Sequence, residues 1–339
     1  MRPISRRAFV AGAGAAAAAL AASRIEAMDA LFEAPLYPPM DLSYFDTPVS
    51  PAPAEIRLGY ASITWGGKDL DAVADIAAAG YPGIQLRSNI VPAYEQRPQA
   101  LADELAKHHL TFVALSSGAV SIDPAAEAQQ LALHAGHAKF LKACGGLYLQ
   151  CTDERPKRAL VAADYQRLGR VLTEIGKRTA DLGIALGYHN HMGTIGERPD
   201  AVDWILDAAD PKYVKLELDI AHYQQGGGDP VKAIRKYADR LLFLHIKDVQ
   251  DMPGASGGPG SYRFVELGRG KVDVKGVFAA MRAIKFRGWA VVELDAVPDP
   301  ERRTPRESAL INKRYLEDCG FSFADPRSTT PDPQGQGPQ

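Results

Sequence analysis

Cysteine is scarce in this chain, whose 339 residues include only Cys144, Cys151 and Cys319. None of them lies in a CxxC spacing, and an odd number excludes a framework in which every cysteine is paired. One bridge between Cys144 and Cys151 is conceivable, although buried free thiols fit the sequence better. The sequence therefore predicts a fold that does not depend on a disulfide framework.

An excess of charge of either sign is also missing. The formal net charge is -2, with 24% charged and 46% hydrophobic residues. A nearly neutral chain offers no electrostatic attraction to nucleic acid or to an anionic membrane, so a small molecule is the expected partner. The length suffices for one large domain with a full core or for two small domains.

A convincing membrane span is absent even from the alanine-rich start, "MRPISRRAFVAGAGAAAAALAAS". This run is too short and too weakly hydrophobic to insert stably. Arg6 and Arg7 match the twin-arginine export pattern, with an ordinary secretory signal or an uncleaved anchor as the alternatives. Twin-arginine export carries folded proteins, often with a cofactor already bound, which favours a metal. We predict an export signal over residues 1–27 and a periplasmic or secreted protein.

Regular periodicity is missing from both ends of the chain. Residues 28–54 are rich in proline and predict an extended arm that leads into the domain. Residues 325–339, "DPRSTTPDPQGQGPQ", predict a disordered tail. The folded unit is therefore expected over residues 55–324.

Between these ends, short apolar runs alternate with amphipathic helical patterns such as "RLGRVLTEIGKRTADLG". Repeated strand–helix units predict a parallel sheet, and eight of them over ~250 residues are typical of a closed (β/α)8 TIM barrel. An open doubly wound sheet is the alternative, but no GxGxxG opens a helix after the first strand. The predicted strands are 56–62, 83–88, 111–117, 146–151, 183–189, 214–219, 241–248 and 289–295.

The segment "YHNHMGTIGE" (188–197) places two histidines at the end of the fifth predicted strand. Side chains alternate along a strand, so His189 and His191 face one side and Asn190 faces the other. Taken alone, the pair is compatible with metal ligands, with an acid/base pair, or with polar residues that leave a core.

Polar residues also interrupt the apolar runs of the next three strands, at Asp219, His245 and Glu293. The carboxyl ends of barrel strands converge on one face, so these side chains and His189 are expected to meet. A polar side chain on a buried strand costs a few kcal/mol unless it is paired or binds metal. Two imidazoles and two carboxylates suit Mn²⁺, Zn²⁺, Co²⁺ or Fe²⁺ better than Ca²⁺. We predict that these four residues form a divalent metal site.

Further polar residues near these strand ends are candidates for proton transfer. His222 follows the sixth strand by one turn, and Lys247 shares the face of the seventh strand that carries His245. Imidazoles exchange protons readily near neutral pH. The predicted catalytic set is therefore His191, His222, Lys247 and Glu293, the last of which is also a predicted ligand.

Three residues are predicted to contact substrate. Trp65, in "ITWGG", is suited to stacking on a sugar face or to covering the barrel rim. Arg87 ends the second strand, where it would bind an oxyanion or pair with a carboxylate. The glycine-rich segment 254–270 is the longest connection and a candidate lid, from which Glu266 would reach the site.

Two other histidines are expected to be structural. His134 and His137 lie three residues apart in "LALHAGHAKF", which has the pattern of a helix between the third and fourth strands. Histidines in such a helix are most often surface or packing residues. We therefore predict no catalytic role for this pair.

Five segments from the second half of the barrel resemble the xylose isomerase-like barrel superfamily: "YHNHMGT", "ELDIAHYQQGGGDP", "LHIKDV", "ELGRGKVD" and "VVELD". Within it they resemble the sugar phosphate isomerase/epimerase group, which includes the inosose dehydratases. The first half matches in pattern only. The resemblance implies a metal-dependent enzyme that acts on polyhydroxylated ketones or aldehydes, with metal ligation at the four strand ends identified above.

The resemblance departs from the isomerases at His189. Many of these sugar isomerases and epimerases have a glutamate at this position and use it, with the glutamate of strand eight, as a pair of bases. In having imidazole here the chain is more similar to the dehydratase branch, which has a similar Tyr-His-x-His segment. We therefore predict that His189 is a ligand and that His191 faces the substrate as an acid/base.

The chemistry that fits these residues is removal of a proton next to a carbonyl, because a metal that polarises the carbonyl makes a weak base sufficient. Return of the proton to carbon gives isomerisation or epimerisation, which is the predicted function. Loss of a β-hydroxyl or a glycosidic oxygen gives dehydration or elimination, which is the alternative. Export favours a free sugar, a cyclitol or an oxidised glycoside over a phosphorylated metabolite.

Two other classes of protein are compatible with this barrel. Apurinic endonucleases use a larger metal cluster and a basic DNA-facing surface, which a net charge of -2 does not provide. A non-catalytic periplasmic sugar-binding protein is the other class, but the intact set of candidate ligands argues against it. The sequence leaves open whether the protein forms a homo-oligomer.

Overall fold

A computed structural model describes residues 54–253 and 260–323. The predicted export signal (1–27), the predicted arm (28–54) except for its last residue, and the predicted tail (325–339) lie outside the described residues. No helix in the described part of the chain is both long and apolar enough to cross a membrane.

The described residues form a closed barrel and one additional hairpin. The strands are β1 (Glu55–Ala61), β2 (Gly83–Arg87), β3 (Thr111–Val120), β4 (Tyr148–Asp153), β5 (Ala185–His189), β6 (Val214–Asp219), β7 (Leu241–Ile246), β8 (Asp248–Asp251), β9 (Tyr262–Val265) and β10 (Arg287–Val292). All strands except β8 and β9 run parallel in the closed order β1-β2-β3-β4-β5-β6-β7-β10. Strands β8 and β9 pair with each other as an antiparallel hairpin. The predicted (β/α)8 TIM barrel is confirmed.

Helices connect successive strands, and several of them begin at a proline or at a side-chain cap. They are α1 (Asp69–Ala79), α2 (Val91–Tyr94), α3 (Pro98–Lys107), α4 (Glu127–Ala143), α5 (Ala162–Asp181), α6 (Pro199–Ala208), α7 (Ile220–Gln225), α8 (Pro230–Lys236), α9 (Val274–Ala283) and α10 (Pro305–Asp318), with 3₁₀ turns at Ser62–Trp65, Ser88–Ile90 and Pro124–Ala126. Proline opens α3, α6, α8 and α10, where its missing N–H leaves no hydrogen bond unmade. Side chains of Asp229, Asp273 and Thr304 cap α8, α9 and α10.

Each long helix packs one apolar face on the barrel, as α5 illustrates. Its buried residues include Leu168, Val171, Leu172 and Ile175, a spacing that places all four on one side of the helix. Burial of each such side chain contributes about 1.5–3 kcal/mol. These helix faces hold the outer ring in place around the strands.

The amino-terminal half of the barrel interior is apolar and closed. Trp289 and Phe243 are buried there, and the ring of Phe243 stacks on Tyr148 at 5.4 Å. Gly83 makes room for the indole, because a Cβ at this position would lie 2.3 Å from the Trp289 ring. Beyond this plug, at the carboxyl ends of the strands, the inward-facing side chains are buried and polar, and this is the end where barrels of this type carry their sites.

The seventh barrel strand ends earlier than the sequence predicts. The prediction ran to residue 248, but β7 ends at Ile246 and Asp248 opens the hairpin strand β8. The buried carboxylate of Asp248 turns the chain by accepting backbone N–H bonds of 2.9–3.0 Å from Val249, Gly268, Gly270 and Val272. Gly270 is required for this turn, because a Cβ there would lie 2.2 Å from Asp248 Oδ1. Part of the predicted lid, 254–270, is thus the ordered strand β9, and residues 254–259 lie outside the described residues.

Candidate metal centre

Buried polar side chains fill the carboxyl-terminal end of the barrel. Alternation along β6 turns both Glu217 and Asp219 inward, and the register places Glu217 beside His189 and Asp219 beside His245. Each of the following is at most 8% exposed: Gln85, His189, Glu217, Asp219, His222, His245, Lys247 and Glu293.

The four predicted ligands come together. One donor atom from each of His189, Asp219, His245 and Glu293 lies within 4.8 Å of the others. The Nδ1 atom of His245 is 3.0 Å from Glu293 Oε2 and 3.7 Å from Asp219 Oδ2. The structure therefore places these side chains around one point, as the sequence predicts, while their role as ligands stays a prediction.

Asp219 uses its two oxygens for different purposes. Oδ1 caps α7 by accepting the backbone N–H groups of Ala221 (2.9 Å) and His222 (2.8 Å). The peptide of Asp219 is itself held by the carboxamide of Asn190, which accepts from its N–H and donates to its carbonyl. Because Oδ1 and the backbone are fixed, Oδ2 is directed at the cluster.

Several donor atoms of the cluster lack a hydrogen-bond partner among the described residues. They are His189 Nδ1, both carboxylate oxygens of Glu217, Asp219 Oδ2 and His245 Nδ1. Glu217 Oε2 is 2.6 Å from His189 Nδ1 and Glu217 Oε1 is 3.2 Å from His245 Nδ1, but neither contact has hydrogen-bond geometry. An unpaired buried charge costs several kcal/mol. A cation held between these atoms would remove that cost.

The cluster carries more negative than positive charge. Glu217, Asp219 and Glu293 bring three buried carboxylates, and Lys247 brings one buried ammonium. With neutral imidazoles, and with Lys247 also paired to the partly exposed Asp295, an excess of negative charge remains that a divalent cation would reduce. The nitrogen and oxygen donors, with no thiolate among them, suit Mn²⁺, Zn²⁺, Co²⁺ or Fe²⁺. The residues present therefore fit a divalent metal.

The ionisation of these groups reflects their mutual charges more than their burial. Burial raises the pKa of Asp219, but the adjacent His222 and Lys247 outweigh it and hold that pKa well below its usual value. Burial also raises the pKa of Glu293, but His245 and Lys247 have the larger effect, so that this pKa lies well below its usual value. Burial lowers the pKa of His245, yet Glu217 and Glu293 raise it well above its usual value. A proton and a metal ion therefore compete for Nδ1 of His245, because a protonated nitrogen cannot bind an ion.

Lys247 lies inside the site. The sequence predicts this position, because Lys247 and His245 are on the same face of their strand. Its Nζ atom is 2.5 Å from Asp295 Oδ1 and 3.0 Å from Glu293 Oε2. It also lies 4.1 Å from the ring centroid of Phe264, a residue of the hairpin strand β9. Burial lowers the pKa of Lys247, but Asp295 and Glu293 raise it above its usual value, so the side chain is a cation.

His191 and His222 form a pair of imidazoles next to the cluster, with ring centroids 3.7 Å apart. Nδ1–H of His191 donates to the carbonyl of Met192 at 2.7 Å, which leaves Nε2 as the basic nitrogen. Nδ1 of His222 accepts the backbone N–H of Met192 at 3.2 Å. Burial, helped by the charges around His189 and Lys247, lowers the pKa of His191, so its imidazole is neutral near pH 7.

The structure does not support two of the three predicted substrate contacts. Trp65 is only 6% exposed and its indole N–H donates to Asp75 of α1, so it packs outside the barrel wall rather than in the opening. Glu266 is buried and bound by Arg303 at 2.6 Å and Ser308 at 3.1 Å, both beside or in α10. Arg87 ends β2, exposed and on the inward face that also carries Gln85, so its predicted contact with substrate stays a prediction.

The sequence-based prediction missed several residues of the site. Glu217 and Asp295 each lie two positions from a predicted ligand, so strand alternation was the signal that would have found them.

Gln85 Oε1 is 2.8 Å from His245 Nε2 across the barrel, and Phe264 lies over His222 and Lys247. No local pattern in the sequence points to these last two contacts.

Comparisons with known proteins agree with the barrel fold. The family model described as "Xylose isomerase-like TIM barrel" matches residues 73–314. An inosose dehydratase of Lacticaseibacillus casei is 27% identical over 295 residues, which cover 77% of this chain and 96% of that protein. The crystal structure of the IolI protein with a bound zinc atom has a TM-score of 0.66 at 20% identity, and covers 78% of this chain and 97% of that one. A D-allulose 3-epimerase from Methylomonas sp. has a TM-score of 0.64 at 20% identity, and the match covers 79% of this chain and 99% of that one.

Proposed function

The chain belongs to the xylose isomerase-like TIM barrel family, and on that premise we propose that it is a divalent-metal-dependent enzyme that enolises a keto-sugar, a cyclitol or an oxidised glycoside. The observation that carries the proposal is the buried cluster of carboxylates and imidazoles at the carboxyl end of the barrel. Its carboxylates and imidazoles are suited to hold a divalent ion, and neutral imidazoles lie directly beside it.

The ion would be held by His189, Asp219, His245 and Glu293, with the carboxylate of Glu217 close to both imidazoles. A divalent ion bound there supplies a Lewis acid that polarises a carbonyl and stabilises the negative charge of an enolate. Zinc in the similar IolI structure supports a divalent ion in this fold, without deciding which ion this chain binds.

The proton is moved by the His191–His222 pair. His191 is the better candidate, because its Nε2 is unprotonated and its side chain is not fully buried. A neutral imidazole accepts a proton from the carbon beside the carbonyl, and the imidazolium then gives it up again. Lys247 is assigned a different role from the one the sequence predicts. Since its ammonium is held by Asp295 and Glu293, it fixes their carboxylates and adds positive charge near the substrate.

We propose elimination as the outcome, with the imidazolium protonating a leaving hydroxyl or glycosidic oxygen. This choice is supported by the inosose dehydratase that matches over nearly its full length, and by imidazole rather than a second glutamate at position 189. Isomerisation or epimerisation is the second candidate, because the same enolate that expels a hydroxyl also accepts a proton back on carbon. Its support is the pair of adjacent imidazoles, which gives two groups able to deliver that proton.

The test is a substrate screen with the metal-loaded protein in D₂O, read by NMR. Inososes, keto-sugars and 3-keto-glycosides would be incubated with Mn²⁺, Co²⁺ or Zn²⁺ added in turn. We expect loss of a carbon-bound hydrogen beside the carbonyl and, with it, water or a free aglycone. Deuterium incorporation with no loss of a leaving group supports isomerisation instead. If metal binds but no carbon-bound hydrogen is exchanged or lost from any substrate, the enolisation proposal is wrong and a binding protein becomes the better hypothesis.

We also propose that the protein is exported by the twin-arginine route to the periplasm or beyond. The support is the sequence alone, in the form of Arg6 and Arg7 before an alanine-rich run. Replacing both arginines with lysine should abolish delivery of the folded, metal-loaded protein, as measured by fractionation of the expressing cells. Undiminished delivery would indicate the general secretory route.

A further inference from the structure

We infer that Gln85 is a positioning residue that keeps the proton of His245 on Nε2 and thereby reserves Nδ1 for the metal. The inference rests on the metal site of the proposed function. It concerns a residue of the first half of the barrel, in which the sequence shows no motif of its own.

The contact is buried and direct. Gln85 lies on β2 and is 2% exposed, and its Oε1 is 2.8 Å from Nε2 of His245, a residue 160 positions further along the chain. An amide oxygen only accepts hydrogen bonds, so in this contact Nε2 carries the hydrogen. A neutral imidazole has one N–H, and its lone pair is then on Nδ1.

On the opposite side of the His245 ring, three carboxylates favour the tautomer that has its proton on Nδ1. Nδ1 of His245 is 3.0 Å from Glu293 Oε2, 3.2 Å from Glu217 Oε1 and 3.7 Å from Asp219 Oδ2. These carboxylates attract a proton to Nδ1, which is the nitrogen that an ion between them must bind. Without an acceptor at Nε2, the tautomer with the proton on Nδ1 would therefore compete with the metal. A buried Nε2–H without a partner would also be left in the metal-bound state, which would weaken metal binding further.

The chain offers a matched control in Gln150. This glutamine also lies inside the barrel, on β4, and is 3% exposed. Its Oε1 has no hydrogen-bond partner in the described part of the chain. Replacing it changes the volume and polarity of the barrel interior without removing an acceptor from a candidate ligand.

The experiment compares Gln85→Leu, Gln85→Glu and Gln150→Leu with the wild type. Leucine is close to glutamine in volume, and glutamate restores an acceptor oxygen. Each metal-free protein would be titrated with Zn²⁺ or Mn²⁺ by calorimetry, after circular dichroism has shown that it is folded. We expect Gln85→Leu to bind metal ~10–100-fold more weakly, as is usual for a lost hydrogen bond to a ligand. Gln85→Glu and Gln150→Leu should bind as tightly as the wild type.

A second measurement does not depend on the variants' stability. In ¹⁵N-labelled wild-type protein with bound Zn²⁺, His245 should show a slowly exchanging proton on Nε2 and none on Nδ1. A proton on Nδ1 in that spectrum overturns the inference. Unchanged affinity in Gln85→Leu overturns it too, as do equal losses in Gln85→Leu and Gln150→Leu or an equal loss in Gln85→Glu. If the wild type binds metal but converts no substrate, the proposed reaction fails while this inference stands.

Discussion

Buried histidines occur in two clusters, one of which is rich in carboxylates while the other contains a hydroxyl and a thiol. The inner cluster, inside the barrel, consists of His189, Glu217, Asp219, His245 and Glu293. The outer cluster, between helix α4 and the strands β3 and β4, consists of Ser117, His134, His137 and Cys151. In the outer cluster the hydroxyl of Ser117 lies 2.6 Å from His134 Nδ1 and 2.8 Å from His137 Nδ1, and Cys151 Sγ is 3.5 Å from His134 Nδ1.

Burial is similar in the two clusters, so burial alone does not decide what a histidine does. His134 and His245 are both fully buried. Burial, with a smaller contribution from His137, lowers the pKa of His134 to about 4. Carboxylates raise the pKa of His245 instead. An imidazole surrounded by hydroxyl and thiol is a neutral packing group, whereas one surrounded by carboxylates competes for a proton or a metal ion.

The largest expected effect comes from removing one carboxylate charge from the inner cluster. Asp219→Asn keeps an oxygen that can cap α7 but removes the charge of Oδ2. We expect metal affinity to fall by at least ~10²-fold, since even a hydrogen bond behind a ligand is worth ~10–100-fold, and turnover to become undetectable. Metal content after dialysis, measured by mass spectrometry, checks this. His134→Gln, in the outer cluster, should keep its full metal content, and loss of metal from that variant would break the comparison.

The next largest effect separates the ligand histidine from the proton-transferring histidine. His191→Ala should keep most of the metal while turnover falls by ~10²–10⁴, the usual range for a lost general acid/base. Turnover per bound metal and metal content would be measured on the same sample. A variant that loses its metal but retains its activity per metal ion would show that the roles of His189 and His191 are assigned in reverse.

The outer cluster should appear in the pH dependence of stability. Its His134 has a pKa of about 4 when folded and 6.5 as its ordinary value, so between these pH values only the unfolded chain binds the proton. Stability therefore falls as the pH drops from 6.5 to 4, by up to about 3 kcal/mol from this residue. Urea unfolding of metal-free protein at several pH values measures the slope. His134→Gln should flatten it, and an unchanged slope would contradict the assignment.

The smallest expected effect is the contribution of the metal to stability. An ion present at 100 times its dissociation constant stabilises the folded state by about 2.7 kcal/mol, which corresponds to roughly 5–10 °C in a domain of this size. Chelation should therefore lower the melting temperature of the wild type and leave that of Asp219→Asn nearly unchanged. Equal shifts in both proteins would place the stabilising ion elsewhere.

Much of this site could be predicted from the sequence because strand order and strand ends are local properties. The polar residues that interrupt apolar runs at positions 189, 219, 245 and 293 meet in the structure, because parallel barrel strands present their carboxyl ends on one face. The inward direction of Lys247 follows from the same alternation, whereas the contact between His191 and His222 was not predicted. The predicted structural role of His134 and His137 also agrees with their contacts to Ser117.

The errors arose where a residue's surroundings depend on distant parts of the chain. Trp65 follows the first strand, but the 3₁₀ turn at Ser62–Trp65 directs its side chain away from the barrel interior. The indole is buried there against Tyr60 and Asp75. Glu266 lies in the predicted lid, but the hairpin places its carboxylate against Arg303, next to α10. In both cases the sequence shows the position along the chain but not which side of the barrel wall the side chain occupies.

The sequence by itself determined the barrel, the face of each strand and four candidate ligands, because a periodicity of two and the order of strands are written along the chain. Only the tertiary structure decided which groups surround those ligands. Closing the barrel brings β2 opposite β7, so Gln85 meets a histidine 160 residues away, and β6 carries Glu217 between two imidazoles. Alternation fixes the direction of a side chain, whereas the distance across a barrel depends on how all eight strands close around it.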